Sequence, residues 1–286
     1  MAIQQLIKWI GNKTKYSDEI VSLMPAKFNT YIEPFLGSGA VLATLLNDRN
    51  INENRSFNNA IASDVLAPLI GIFTLLQENP EELIEYYSTV INKFNNNREQ
   101  VYLEVRERFN KNRNPLDFLI LSRTCYSGVI RFRQKDGYMS TPIGPHKPIS
   151  PEKFRERAQI WSDLVQDVEF INSDYRDIID RAGKGDLVYC DPPYTHSQNI
   201  LYGAHHFNIN ELWESIRRAK NRGAMIMLSI NAKKKSKRED ISTPIPEGLF
   251  ERYVYIDCGI SMINRLQRAG EIMEGEQVHD LLLLSW

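Results

Sequence analysis

Short apolar runs that end on polar residues alternate along this chain with longer stretches of helical period, which predicts a sheet wrapped in helices. The strand candidates are NTYIEPF (29–35), NAIASD (59–64), VEFINSD (168–174), DLVYC (186–190) and AMIMLSI (224–230). Two more lie near 251–258 and at VHDLLLLSW (278–286). Between them, residues 13–24 read as an amphipathic helix, and GSGAVLATLLND as a glycine turn running into a helix. VLAPLIGIFTLLQ reads as an apolar helix with Pro68 in its first turn, where proline is tolerated. Residues 80–127 and 151–165 read as mainly helical, and 128–150 carry the Gly, Pro and Ser punctuation of loops and a short hairpin. NINELWESIRRAKNRG is a helix closed by Gly223.

Strands that alternate with helices predict an α/β fold with a parallel sheet. The helical stretch 71–165 interrupts the alternation and reads as an inserted domain, leaving 1–70 and 166–286 to form the sheet domain. Composition changes little in this picture. Hydrophobic content of 42 % and charged content of 25 % over 286 residues are ordinary for a globular chain. No apolar run approaches a membrane span, and the first residues carry no secretory pattern, so a cytoplasmic protein is expected. Cys125, Cys190 and Cys258 are odd in number and form no CxxC pair, and the lone His205–His206 pair is a poor metal site, so no metal is expected.

Charge does change the picture. The net charge is −1, yet residues 98–157 hold thirteen basic and seven acidic residues, leaving that segment at +6 and the rest at −7. Such asymmetry fits one region facing a polyanion, although a solvated helical surface would look the same.

Candidate chemistry sits at the predicted strand ends, where open α/β sheets bind ligands. Phe35 precedes Gly37-Ser38-Gly39, and Asp64 ends the next strand at the spacing of an acid that grips ribose hydroxyls. The fingerprint is incomplete because Leu42 stands at its last glycine. A lone GxG would fit a phosphate-binding turn equally, but no Walker lysine follows, and a mere strand-to-helix turn leaves the recurrence of Asp64, Asp174 and Asp191 at matching places unexplained. Asp174 and Asp191 end two further strands. Asp191 is followed by Pro192, Pro193 and Tyr194, and two prolines are poor strand material unless the exit geometry itself matters.

IKWIGNKTKY (7–16), YIEPFLGSGAVL (31–42), SD (63–64), LVYCDPPY (187–194) and VHDLLLLSW resemble, in this order, the motifs of Dam-type (D12 class, alpha group) DNA adenine-N6 methyltransferases. The resemblance implies a Rossmann-like S-adenosyl-L-methionine-dependent methyltransferase sheet with an inserted target-recognition domain at 71–165. It implies no metal, S-adenosyl-L-homocysteine as product, double-stranded DNA as partner, a monomer, and a source in bacteria, archaea or phage. Trp9 and Lys13 would lie over the cofactor and near its methionine carboxylate. Phe35, Gly37, Ser38 and Gly39 would approach the methionine moiety, Asp64 would take the ribose and Asp174 the adenine amino group. Asp191 and the Pro192 carbonyl would accept from the target amine, stiffened by Pro193, with Tyr194 stacking on the base. Cys190 reads as packed core.

LSRTCYSGVIRFRQKDGYMSTPIG (121–144) resembles the family's recognition hairpin. It implies Tyr126 at the DNA stack and Arg131 on a guanine edge. Ser127 and Arg133 stand where GATC-specific members commonly carry asparagines, so the resemblance does not carry over the GATC target. Arg123, Lys135 and Lys147 would meet phosphates. KKKSKR (233–238) reads as a mobile loop that approaches DNA, with a merely solvated loop as its competitor and a nuclear-localisation signal lacking other support. A cognate restriction endonuclease is a possible partner. Methylation of RNA adenine, methylation of a protein glutamine, and a non-catalytic DNA binder on the same scaffold are the competing readings. Asp191 disfavours the glutamine enzymes, which usually carry Asn there.

Overall fold

The computed structural model describes residues 3–193, 207–235, 238–240, 244–260 and 277–286. Eight strands form one sheet: β1 (Thr30–Glu33), β2 (Asn59–Asp64), β3 (Val168–Asn172), β4 (Leu187–Cys190), β5 (Met225–Lys235), β6 (Arg238–Asp240), β7 (Arg252–Ile260) and β8 (Gln277–Leu284). Their order is β3-β2-β1-β4-β5-β8-β7, with β6 paired to β5 off this path. The first five strands run parallel, and β8 inserts antiparallel between β5 and β7.

The central strands are largely apolar because both faces are covered. Side chains alternate between the faces with the strand period of two. Leu187 and Tyr189 of β4 enter one core, Val188 and Cys190 the other. On β8, Leu282 and Leu284 join the first core, and Leu281 and Leu283 the second. Cys190 is fully buried, as expected of a packed residue.

Helices α1 (Ser17–Ser22), α2 (Ala40–Ile51), α3 (Ala67–Glu78), α4 (Pro80–Asn96), α5 (Arg98–Asn112), α6 (Pro115–Thr124) and α7 (Pro151–Leu164) contribute to the first core. Helices α8 (Tyr175–Ile179) and α9 (Ile209–Asn221) cover the second. Three helices start by one device. Asn79, Asn114 and Ser150 accept a backbone N–H from Glu82, Leu116 and Lys153, and each is followed by a proline that has no N–H to leave unpaired.

Four expectations shift. The helix expected over 13–24 shortens to α1, because residues 12–16 fold into turns, with Asn12 accepting from Thr14 N–H at 2.7 Å and Tyr16 N–H donating to the Lys13 carbonyl at 3.0 Å. Helix α8, capped by Asp174, had no separate signal. The boundary expected at residue 70 falls inside α3, which packs on the sheet and on the helical region alike. Phe73 of α3 stacks on Phe170 of β3 at 5.2 Å and lies 5.7 Å from Trp161 of α7. The basic run expected as a loop instead puts Lys233–Lys235 on β5, paired with Arg238–Asp240 on β6. Residues 236 and 237 of that run lie outside the described residues.

Candidate active site

Strand β1 pairs with β2 on one side and β4 on the other, so the chain's winding reverses at β1. Beyond the carboxyl ends of these strands opens a cavity of about 380 Å³. This is where an open α/β sheet places its ligands. Trp9, Lys13, Phe35, Gly37, Ser38, Asp64, Asp174, Asp191, Pro192 and Pro193 all reach its wall, so residues scattered over the sequence converge on one cavity.

The glycine turn shapes one wall. Gly37 has φ +50°, and a Cβ there would meet Trp9 Nε1 at 2.9 Å. Only glycine lets the Trp9 indole, which also packs edge-on against Phe118, lie this close to the turn. Gly39 serves a different purpose from the one expected: it sits behind the cavity with φ +68° at the start of α2, where Trp161 and Phe73 close over it. Asp64 ties the turn to β2. Its two oxygens accept the Gly37 N–H at 3.1 Å and the Leu66 N–H at 3.0 Å. Burial pushes its pKa up to about 6 against these hydrogen bonds, which favour the charged form.

Asp174 lies at the cavity rim, held by Arg176. The guanidinium contacts both carboxylate oxygens, at 2.8 and 3.0 Å, and also pairs with Glu211. Burial opposes ionisation of Asp174, but Arg176 outweighs it and the pKa falls below its usual value. Phe35 stacks on Tyr175 at 5.1 Å, and Phe207 meets it edge-on at 6.0 Å, giving the cavity an aromatic side.

The acid end of the cavity differs most from expectation. Lys13 was expected near a ligand carboxylate. Its ammonium is instead engaged by two carboxylates of the protein, Asp191 Oδ1 at 3.2 Å and Asp280 Oδ2 at 2.9 Å. Burial alone would lower the Lys13 pKa, but Asp191 and then Asp280 raise it above its ordinary value, so the lysine stays charged. Glu33, also on the wall, is buried and accepts the Tyr31 hydroxyl at 2.8 Å. Burial pushes its pKa up to about 8; the Tyr31 bond opposes this and the charge of Asp191 adds to it. Sequence reasoning assigned no role to Asp280 or Glu33. The available signal was an acid inside an otherwise apolar strand, which needs a partner.

Tyr194 lies outside the described residues. No group of three or more His, Cys, Asp or Glu able to hold a metal occurs among the described residues.

The recognition segment sorts into exposed and committed cations. Tyr126, at 42 % exposure, opens a short turn (Tyr126–Gly128) in which Ser127 has φ +56°. Arg131, Lys135 and Lys147 are exposed. Arg133 is exposed too, but it grips Asp136 of its own hairpin through two hydrogen bonds and lies 4.2 Å from the Tyr138 ring centre. Arg123 corrects an expectation. It is 3 % exposed and donates to the Leu6 carbonyl at 2.6 Å, so it supports the core and cannot reach a phosphate. Three further arginines of residues 98–157 are half-buried and tied to backbone carbonyls. Arg98 donates to the Gly144 and His146 carbonyls, Arg106 to that of Thr141 and Arg113 to that of Gly137.

Residues 9–239 match the family described as D12 class N6 adenine-specific DNA methyltransferase. The chain belongs to that family. It is 30 % identical over 253 residues to the type II methyltransferase M.MjaIII of Methanocaldococcus jannaschii, covering 80 % of this chain and 84 % of that protein. It is 32 % identical over 208 residues to the DNA adenine methylase of Serratia marcescens, covering 71 % of each. The DNA N-6-adenine-methyltransferase of Escherichia phage P1 is 29 % identical over 240 residues, 79 % of this chain and 29 % of that protein. The chain is a DNA adenine-N6 methyltransferase, and the α/β sheet with its switch-point cavity is the fold on which that activity rests. No described helix is long and apolar enough to cross a membrane.

Proposed function

We propose that the switch-point cavity holds S-adenosyl-L-methionine and presents it to an adenine turned out of double-stranded DNA. The observation that carries this reading is the convergence of Asp191, the Gly37 turn and Asp64 on one cavity wall. The residues fit the cofactor's parts. Asp64 offers acceptor capacity for vicinal hydroxyls, the Phe35–Tyr175–Phe207 cluster an apolar face for a purine, and Gly37 a close backbone approach. When bound, the cofactor supplies a methyl carbon on a positively charged sulfur, already activated.

The chain's own task is to make a poor nucleophile competent. The adenine amine delocalises its lone pair into the ring. Asp191 accepts a hydrogen bond from one amine N–H and the Pro192 carbonyl from the other, which localises the lone pair toward the methyl carbon. Pro192 and Pro193 hold this exit rigid, and neither has an N–H to compete for the acceptors. Tyr194 stacks on the base. An adenine inside a duplex cannot reach such a pocket, so it is flipped out. Arg131 reads a base edge, while Lys135 and Lys147 meet phosphates. The family likeness to a type II methyltransferase supports a cognate restriction endonuclease as a partner.

Two titrations test the proposal. S-adenosyl-L-homocysteine should bind, and Asp64→Ala should weaken it by about 1.5–3 kcal/mol, the range for hydrogen bonds to a charged group. Duplex DNA with 2-aminopurine at the methylated adenine should brighten when the enzyme binds. Unchanged affinity in Asp64→Ala, or no brightening, would contradict the corresponding part of the reading.

A further inference from the structure

Lys13 and Asp280 stand 267 positions apart in the sequence, yet their side chains meet at 2.9 Å in a buried contact. Asp280 is 3 % exposed and opens a run of four leucines, Leu281–Leu284, each fully buried. Its backbone lies between Asn231 of β5 and Ile256 of β7, so β8 delivers it to the interior of the sheet. An isolated carboxylate there would be heavily penalised, and Lys13 is its cation. The same ammonium lies 3.2 Å from Asp191 Oδ1. Lys13 is therefore a buried bridge between the last strand and the acid of the cavity wall. A lysine reserved for a ligand carboxylate would gain nothing from Asp280, which competes for its donors.

We propose that Asp280 is a positioning residue for methyl transfer: it fixes the Lys13 ammonium, which holds the Asp191 carboxylate in place on the cavity wall. This rests on the reading of Asp191 as acceptor of the adenine amine. Asp191 follows β4 on an irregular segment and is 21 % exposed, and the Lys13 ammonium at 3.2 Å restrains its carboxylate. Small displacements of an acceptor are costly because the amine must be met in line with the methyl group. β8 thus supports the site without touching the reacting atoms.

The test uses Asp280→Asn, which keeps shape and a hydrogen-bond acceptor but removes the charge. Single-turnover methylation of unmethylated plasmid DNA with labelled S-adenosyl-L-methionine should slow by about ten- to a hundredfold. The Kd for S-adenosyl-L-homocysteine should stay within about threefold, because the loss belongs to the transition state rather than to binding. An unchanged rate overturns the proposal. So does a loss borne entirely by weaker cofactor binding, which would return Lys13 to a ligand carboxylate. If Asp280→Asn does not fold, Lys13→Met combined with Asp280→Leu removes both charges together. That double variant should be as slow as Lys13→Met alone, and a wild-type rate would overturn the bridge. Asp191→Ala separates the two claims. If it is inactive while Asp280→Asn is fully active, only the positioning role fails. If Asp191→Ala is itself active, the acceptor reading fails.

Discussion

Glu33 is a buried acid whose protonation is set by its surroundings. Its pKa of about 8 against an ordinary 4.5 means that the folded chain holds a proton the unfolded chain has released between those values. The stability this contributes is complete below about 4.5 and is lost as pH rises through about 8. Glu33→Gln keeps an acceptor for the Tyr31 hydroxyl and removes the titration. Its melting temperature should therefore gain on the wild type as pH is raised from 5 to 9 (about the span of the titration). A difference that stays constant over that span would contradict the assignment. At this scale the sequence showed Asp64 and Asp191 because each ends an apolar run, and both line the cavity. Glu33 and Asp280 were harder to read. Tyr31 is a local neighbour of Glu33, two positions back on β1, but Asp191 reaches Glu33, and Lys13 reaches Asp280, only through the fold, which no local pattern encodes.

Among the elements, the recognition hairpin and α5 show the same limit. The +6 of residues 98–157 suggested a surface for a polyanion. Sequence alone could not separate arginines that donate to backbone carbonyls from those that face solvent. Arg98, Arg106 and Arg113 bind the hairpin chain to α5, so they hold that chain in place rather than present free charge. Arg123 is buried beneath the N-terminal segment. The exposed cations make a sharper prediction. Lys135→Ala and Lys147→Ala should each reduce the slope of log affinity against log salt by about 1. Arg123→Ala should lower the melting temperature and leave that slope unchanged in the protein that remains folded. A slope change in Arg123→Ala, or none in either lysine variant, would reverse the division. The Asn-Pro and Ser-Pro pairs at 79–80, 114–115 and 150–151 carry local capping chemistry, yet the stretch 80–127 read as one helical run and its separate starts were missed.

Across the whole molecule, the alternation of strands and helices was enough to predict a parallel α/β sheet, because buried strands and amphipathic helices have different periods. The insertion of β8 between β5 and β7 was not readable, since apolar runs do not name their neighbours. That insertion carries Asp280 to Lys13, and β4 carries Asp191 to the same ammonium, so the two ends of the chain meet at the cavity. The central claim is that Asp191 makes the adenine amine reactive inside this cavity. The most direct test is transfer of a labelled methyl group to unmethylated duplex DNA, with the product nucleosides identified by mass. The wild type should yield N6-methyladenine, and Asp191→Ala should yield none while still binding S-adenosyl-L-homocysteine. Methylation by Asp191→Ala at the wild-type rate would contradict the account.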